Sequence, residues 1–193
     1  MRGAAAPPQI VLSPRSQARS GDLAARFQTA RLASTNQDMV DQSDAVVLCV
    51  LPQQAEEVVG QLTSRVDQPV NSVMAGVHLS VLRNLLAPAR NIARSIPAPA
   101  VAARSSITPI YPSTDAARDL YRRLGGYLEI DDEIAFESVS AASATVGAFT
   151  FCSNTPYSLA RRQHGCGGTG RLLLWSRAAG PVRSARVPTA GTH

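Results

Sequence analysis

Three short segments of this 193-residue chain set a polar residue or a glycine at the end of an apolar run. Ser13-Pro14-Arg15-Ser16 follows Ile10-Val11-Leu12 and offers two hydroxyls and a guanidinium without a carboxylate. At the end of the second strand of a dinucleotide-binding sheet, an acidic residue holds a ribose hydroxyl, whereas an arginine accommodates an additional phosphate there. Leu51-Pro52-Gln53 follows the apolar run 45–50. A proline there fixes the backbone and leaves carbonyls facing the crevice beyond the strand ends. Ala75-Gly76-Val77 follows the run 70–74, and its glycine lets a ring or a ribose approach the backbone. Each segment also has a plainer reading: a simple turn, a helix start with proline in its first turn, and a strand end.

Other reactive side chains assemble into nothing recognisable at this level. Cys49, Cys152 and Cys166 lack a CxxC spacing and cannot all pair, so neither a disulfide framework nor a zinc site is indicated. His78 and His164 show no metal-ligand spacing and are expected at the surface. No nucleophile set and no isolated carboxylate pair is visible, and Asp131, Asp132 and Glu133 are expected to be the charged start of a helix.

The elements that must position these residues follow from the apolar pattern. Residues 10–12 are expected to be a short buried strand, 22–27 a helix, 31–33 a weak strand and 36–42 a short helix with Met39 and Val40 on its apolar face. The run 45–50 is the strongest strand, apolar on both faces as a central parallel strand requires. Helices are expected over 54–62, 79–86 and 115–124, and strands over 70–74, 92–96, 107–111 and 127–130. This alternation specifies an α/β fold with a mostly parallel sheet. From Asp132 a long Ala- and Ser-rich helical stretch runs through Phe149.

After Cys152 no period is sustained. Residues 152–193 hold six arginines and no acidic residue, so the net charge of +5 belongs to this tail, and the preceding 151 residues carry a net −1. The tail has few aromatic residues to interleave with its arginines, so no nucleic-acid partner is expected, and the abrupt change in composition predicts an irregular, out-of-frame reading. No apolar run approaches the length of a membrane span and no signal-peptide pattern opens the chain, so the expected setting is cytoplasmic, with no membrane partner.

Taken in order, the segments resemble the pyrroline-5-carboxylate reductase family. Asn36-Gln37 with Val40-Asp41, then residues 43–53 from Ser43-Asp44 to Pro52-Gln53, are similar to the heart of that family. Val73-Met74-Ala75-Gly76-Val77 resembles its strand-and-glycine segment. Arg94-Ser95-Ile96-Pro97-Ala98-Pro99 resembles its Arg-x-Met-Pro-Asn-x-Pro segment, and residues 138–149 can be laid on its Ser-Gly-Ser-Gly-Pro helix opening. The resemblance covers residues 9–150.

It implies a Rossmann-like domain followed by a helical dimerisation domain, and the NADPH- or NADH-dependent reduction of the cyclic imine 1-pyrroline-5-carboxylate to proline. It also implies that Ser13 and Arg15 hold the adenosine-side phosphate of NADP and that Asn36 lies against the cofactor. Val50, Leu51 and Pro52 would contact the nicotinamide half, and Ala75 and Gly76 would face its ring. No catalytic residue is assigned.

The expected organisation is a disordered start at 1–8, a partial dinucleotide-binding domain at 9–130 without its first strand and Gly-rich loop, the start of the helical domain at 131–151, and the tail. A largely absent dimerisation domain leaves homo-oligomerisation only as a property of the family. Leu51 stands where many members have lysine, Ala98 replaces the usual asparagine, and Ala144, Val146 and Gly147 break the glycine–serine pattern. Without the phosphate-binding loop, weak cofactor binding and an inactive chain are expected. A reductase of another imine or carbonyl, or a non-catalytic fragment seeking a partner, fits the same residues.

Overall fold

The computed structural model describes residues 8–154, with side chains through residue 145. Seven strands among them form two sheets: β1 (Ile10–Leu12) beside β2 (Ala30–Leu32), and a five-stranded sheet of β3 (Val46–Leu48), β4 (Val70–Ser72), β5 (Ile92–Ser95), β6 (Thr108–Tyr111) and β7 (Tyr127–Glu129) in that order. All neighbours are parallel except β5 and β6. The mostly parallel α/β fold read from the alternating pattern is therefore present.

The helices are α1 (Gln17–Arg26), α2 (Asn36–Asp41), α3 (Ala55–Val59), α4 (Leu79–Leu85), α5 (Asp115–Arg123) and α6 (Glu133–Asn154). Their starts follow local chemistry. The Thr35 hydroxyl accepts from the Asp38 N–H at 3.0 Å, and the Asp38 carboxylate accepts from the N–H and hydroxyl of Ser34, both at 2.8 Å, so the first turn of α2 is capped from both sides. Thr114 caps α5 and Asp132 caps α6 in the same way. Gly125 follows α5 at φ +123°, and a Cβ there would lie 2.7 Å from the Ser106 carbonyl oxygen, so only glycine fits this return to β7.

Two apolar clusters cover the faces of the larger sheet. Val40, Val46, Leu48, Val59, Val70, Leu82, Leu86 and Ile92 form one, and Ala93, Ile110, Ala117 and Tyr121 form the other. Ile92 and Ala93 are neighbours in sequence and fall in different clusters, as the two-residue period of a strand requires. Every residue of β4 and β5 is buried. Between the sheet and α5, the Asn71 amide donates to Ser95 at 2.9 Å and to Tyr121 at 3.0 Å. Burial raises the Tyr121 phenol above its ordinary value, although its bonds with Ser95 and Asn71 pull the other way.

Several sequence expectations need correction. The run 45–50 forms an edge strand of the five-stranded sheet and not a central one, and Val47 is accordingly exposed. Residues 10–12 do form a strand, but Ile10 is exposed because β1 is paired on one side only. The first helix begins at Gln17 and not Asp22, because the one-turn 3-10 helix Pro14–Ser16, with proline at its start, leads directly into it. The last helix continues to Asn154, past the boundary expected at residue 151. The expected disordered start and irregular tail lie almost wholly outside the described residues.

Candidate functional site

The segments singled out by their chemistry converge at the carboxyl ends of β1 to β4. Ser13 caps the turn after β1, accepting from the Arg15 N–H at 3.3 Å and donating from its hydroxyl to the Asn36 side-chain oxygen at 2.6 Å. Asn36 is the first residue of α2. Arg15 is exposed and donates to the Gln54 side-chain oxygen at 2.6 Å, which ties the turn after β1 to the turn after β3. These tertiary contacts unite residues that the sequence separates.

Two hollows lie on either side of α3. One, of about 440 Å³, is lined by Arg15, Thr35, Asn36 and Gln37 on one side and Glu57 and Gln61 on the other. The second, of about 260 Å³, is lined by Pro52, Gln53 and Glu56 and by Gly76, Val77 and His78. Glu56 and Glu57 are adjacent and face different hollows, so a ligand spanning both would pass over α3. Pro52 opens the 3-10 turn Pro52–Gln54, and Leu51 before it is exposed. Val50 is half-buried, and Ala75 and Gly76 are exposed at the end of β4. Gly76 has φ +73°, and a Cβ placed on it would meet no heavy atom within 4 Å, so the backbone stands open to the second hollow.

These residues fit the two ends of a dinucleotide: a guanidinium with hydroxyl and amide groups at one end, and bare backbone at the other. Arg15 and Asn36 would hold the adenosine side, and Pro52 and Gly76 the ring side. The described residues contain no Gly-x-Gly turn between the hollows.

Sequence reasoning missed a charged cluster beside the second hollow. Arg94 is the largest fully buried side chain. It donates to Glu133 at 2.7 Å and to Glu137 at 2.5 Å, and its guanidinium lies 4.7 Å from the centre of the Phe136 ring. Glu133 also accepts from the Leu79 N–H at 2.7 Å, which joins α6 to the first turn of α4. His78 precedes that turn, and its Nδ1 stands 3.6 Å from Glu133 and 3.9 Å from Glu137. His78 is exposed as expected, yet it is part of a cluster and not an isolated surface group. Arg94 occupies the place at which a cation would neutralise the two carboxylates. Burial alone would raise the Glu133 carboxyl, but the Leu79 N–H, Arg94 and His78 outweigh it and hold the group below its ordinary value. The available signal was an arginine inside a buried strand, together with two glutamates four residues apart at a helix start.

Comparison with known proteins places this geometry. Residues 2–76 match the family model described as NADP oxidoreductase, coenzyme F420-dependent. A 1-pyrroline-5-carboxylate reductase from Streptococcus pyogenes superposes with a TM-score of 0.64 at 25% identity, covering 77% of this chain and 59% of that one. In fold the chain is similar to that reductase. A pyrroline-5-carboxylate reductase from Coxiella burnetii gives a TM-score of 0.64 at 22% identity, with 77% and 58% covered. A reductive aminase from Aspergillus terreus, in complex with NADPH and ethyl levulinate, has the same fold with a TM-score of 0.54 at 16% identity, with 72% and 52% covered. The chain thus spans less than two thirds of the length of these structures. No curated protein matches it. The family match is to an NADP oxidoreductase model, and these likenesses share the fold. Among the described residues, no helix is long and apolar enough to cross a membrane.

Proposed function

We propose that this chain is the nucleotide-binding part of an NADP-dependent reductase of C=N bonds, with 1-pyrroline-5-carboxylate, the precursor of proline, as its substrate. The observation that carries the reading is the pair of hollows across α3, with Arg15 and Asn36 lining one and Pro52 and Gly76 the other. Arg15 selects the phosphorylated ribose by a charge-assisted contact, and no carboxylate of its turn competes for a ribose hydroxyl. Ser13 fixes Asn36 by its hydrogen bond, and the exposed backbone at Ala75 and Gly76 accepts a flat ring. NADP, with NAD as the weaker alternative, would supply hydride chemistry, and the chain's residues orient it.

The test separates the adenosine end from the rest. Titration with 2′,5′-ADP is expected to give at least tenfold tighter binding than 5′-AMP, and Arg15→Ala is expected to abolish that preference. Equal affinity for the two nucleotides would overturn the reading. Whole NADPH is expected to bind this chain only weakly, because the described residues supply no glycine turn for the pyrophosphate. A submicromolar Kd would contradict that expectation.

A further inference from the structure

We propose that His78 is the proton donor of this reduction and that Glu133 and Glu137 are the positioning residues behind its ring. The proposal rests on the reading of the second hollow as the place of hydride transfer. His78 lines that hollow together with Pro52 and Gly76. Its Nδ1 lies on the side of Glu133 and Glu137, at 3.6 and 3.9 Å. Nε2, across the ring, is the nitrogen left for a ligand. The side chain is 58% exposed, so water can return a proton to it between turnovers.

Carboxylates beside one imidazole nitrogen orient the ring and keep a proton on that nitrogen, so a proton given from the other nitrogen comes from the doubly protonated ring. Here the carboxylates are themselves held. Arg94, 1% exposed, bonds both glutamates, and the Leu79 N–H bonds Glu133, so the pair cannot swing away without leaving a buried guanidinium unpaired. The charged groups placed beside His78 are Glu133 and Glu137 from α6, with Arg94 from β5 bonded to both and Glu56 from α3 lining the same hollow. One positive and two negative charges stand behind the ring.

The step balances. Hydride arriving at the imine carbon forms a C–H bond and sends the C=N π pair to nitrogen. His78, doubly protonated, gives its Nε2 proton to that nitrogen and is left as the neutral ring with Nδ1–H, so an N–H bond forms as the imidazolium N–H bond breaks. The imine is reduced to an amine, the nicotinamide is oxidised, and His78 is reprotonated from solvent.

Two measurements on the full chain test this. The chain contains three histidines, so a 15N-histidine-labelled sample reports each ring. Pyrrolidine, added without cofactor, is expected to move the His78 nitrogen signals saturably while those of His164 and His193 stay in place. Glu137→Gln is expected to weaken that response several-fold. His78 signals that do not move, or three rings that move alike, would overturn the proposal, whatever the outcome of nucleotide binding. His78→Asn and His78→Gln are expected to weaken pyrrolidine binding at least tenfold, with 2′,5′-ADP affinity kept within twofold. Pyrrolidine affinity equal to the wild type would also overturn it. Failure of 2′,5′-ADP to bind would instead count against the proposed cofactor site.

Discussion

In the five-stranded sheet every residue of β4 and β5 is buried, whereas β1, β2 and α1 contain no buried residue. Both regions are written in the same alternation of apolar run and helix. The difference lies in pairing: β4 and β5 have a strand on each side and helices over both faces, and β1 has a single neighbour. A parallel strand is stabilised by what surrounds it more than by its own residues. The region that carries Ser13 and Arg15 is thus the less buried one, and the region that carries Gly76, His78 and Arg94 is anchored in the core. Binding segments are commonly drawn from the less stable parts of a fold, and here the two ends of one candidate site differ in this respect.

Substitutions can break or sharpen that contrast. The largest effect is expected at Arg94, because Arg94→Ala leaves two carboxylates without their cation and a gap against Phe136. A loss of about 3–5 kcal/mol in denaturant unfolding is expected. Leu82, 0% exposed, comes next, and Leu82→Ala is expected to cost about 2–5 kcal/mol by the same measurement.

A smaller, pH-dependent effect is expected at Glu133. Its carboxyl is held below its ordinary value in the folded chain, so it contributes stability above the unfolded value of 4.5. That contribution is lost as the pH falls through the lower folded value. Glu133→Gln should therefore flatten the fall in Tm below about pH 4.5, and an unchanged slope would refute the assignment. The smallest effect is expected at Leu23 in α1, which is 40% exposed. Leu23→Ala should change stability by less than about 1 kcal/mol, and a loss equal to that of Leu82→Ala would erase the distinction between the regions.

Much of the fold was legible because local patterns and tertiary demands agree. Runs such as Ile92–Ser95 and the helix over Asp115–Arg123 fall where the periodicity puts them. The strand-end residues Ser13, Asn36, Pro52 and Gly76 were legible as an ordered set, and the structure brings them to two neighbouring hollows. The Arg94 cluster was not, because Arg94, His78 and Glu133 belong to β5, the loop before α4 and the start of α6, and each alone has an ordinary explanation. Strand 46–48 misled for a related reason: an apolar run on both faces signals a capacity for burial, and Val47 has no cover on its side.

By itself the amino-acid order determined the alternation of strands and helices, the caps that start α2, α5 and α6, and the types of side chain available at the strand ends. These depend on interactions over a few residues, such as Thr35 with Asp38 or proline at the start of a turn. Only the tertiary structure decided that Ser13 meets Asn36, that Glu56 and Glu57 face different hollows, and that a buried arginine holds two glutamates beside His78. Those outcomes depend on which strands become neighbours. Pairing between distant segments is settled by burial and charge compensation across the whole domain, which no local window contains.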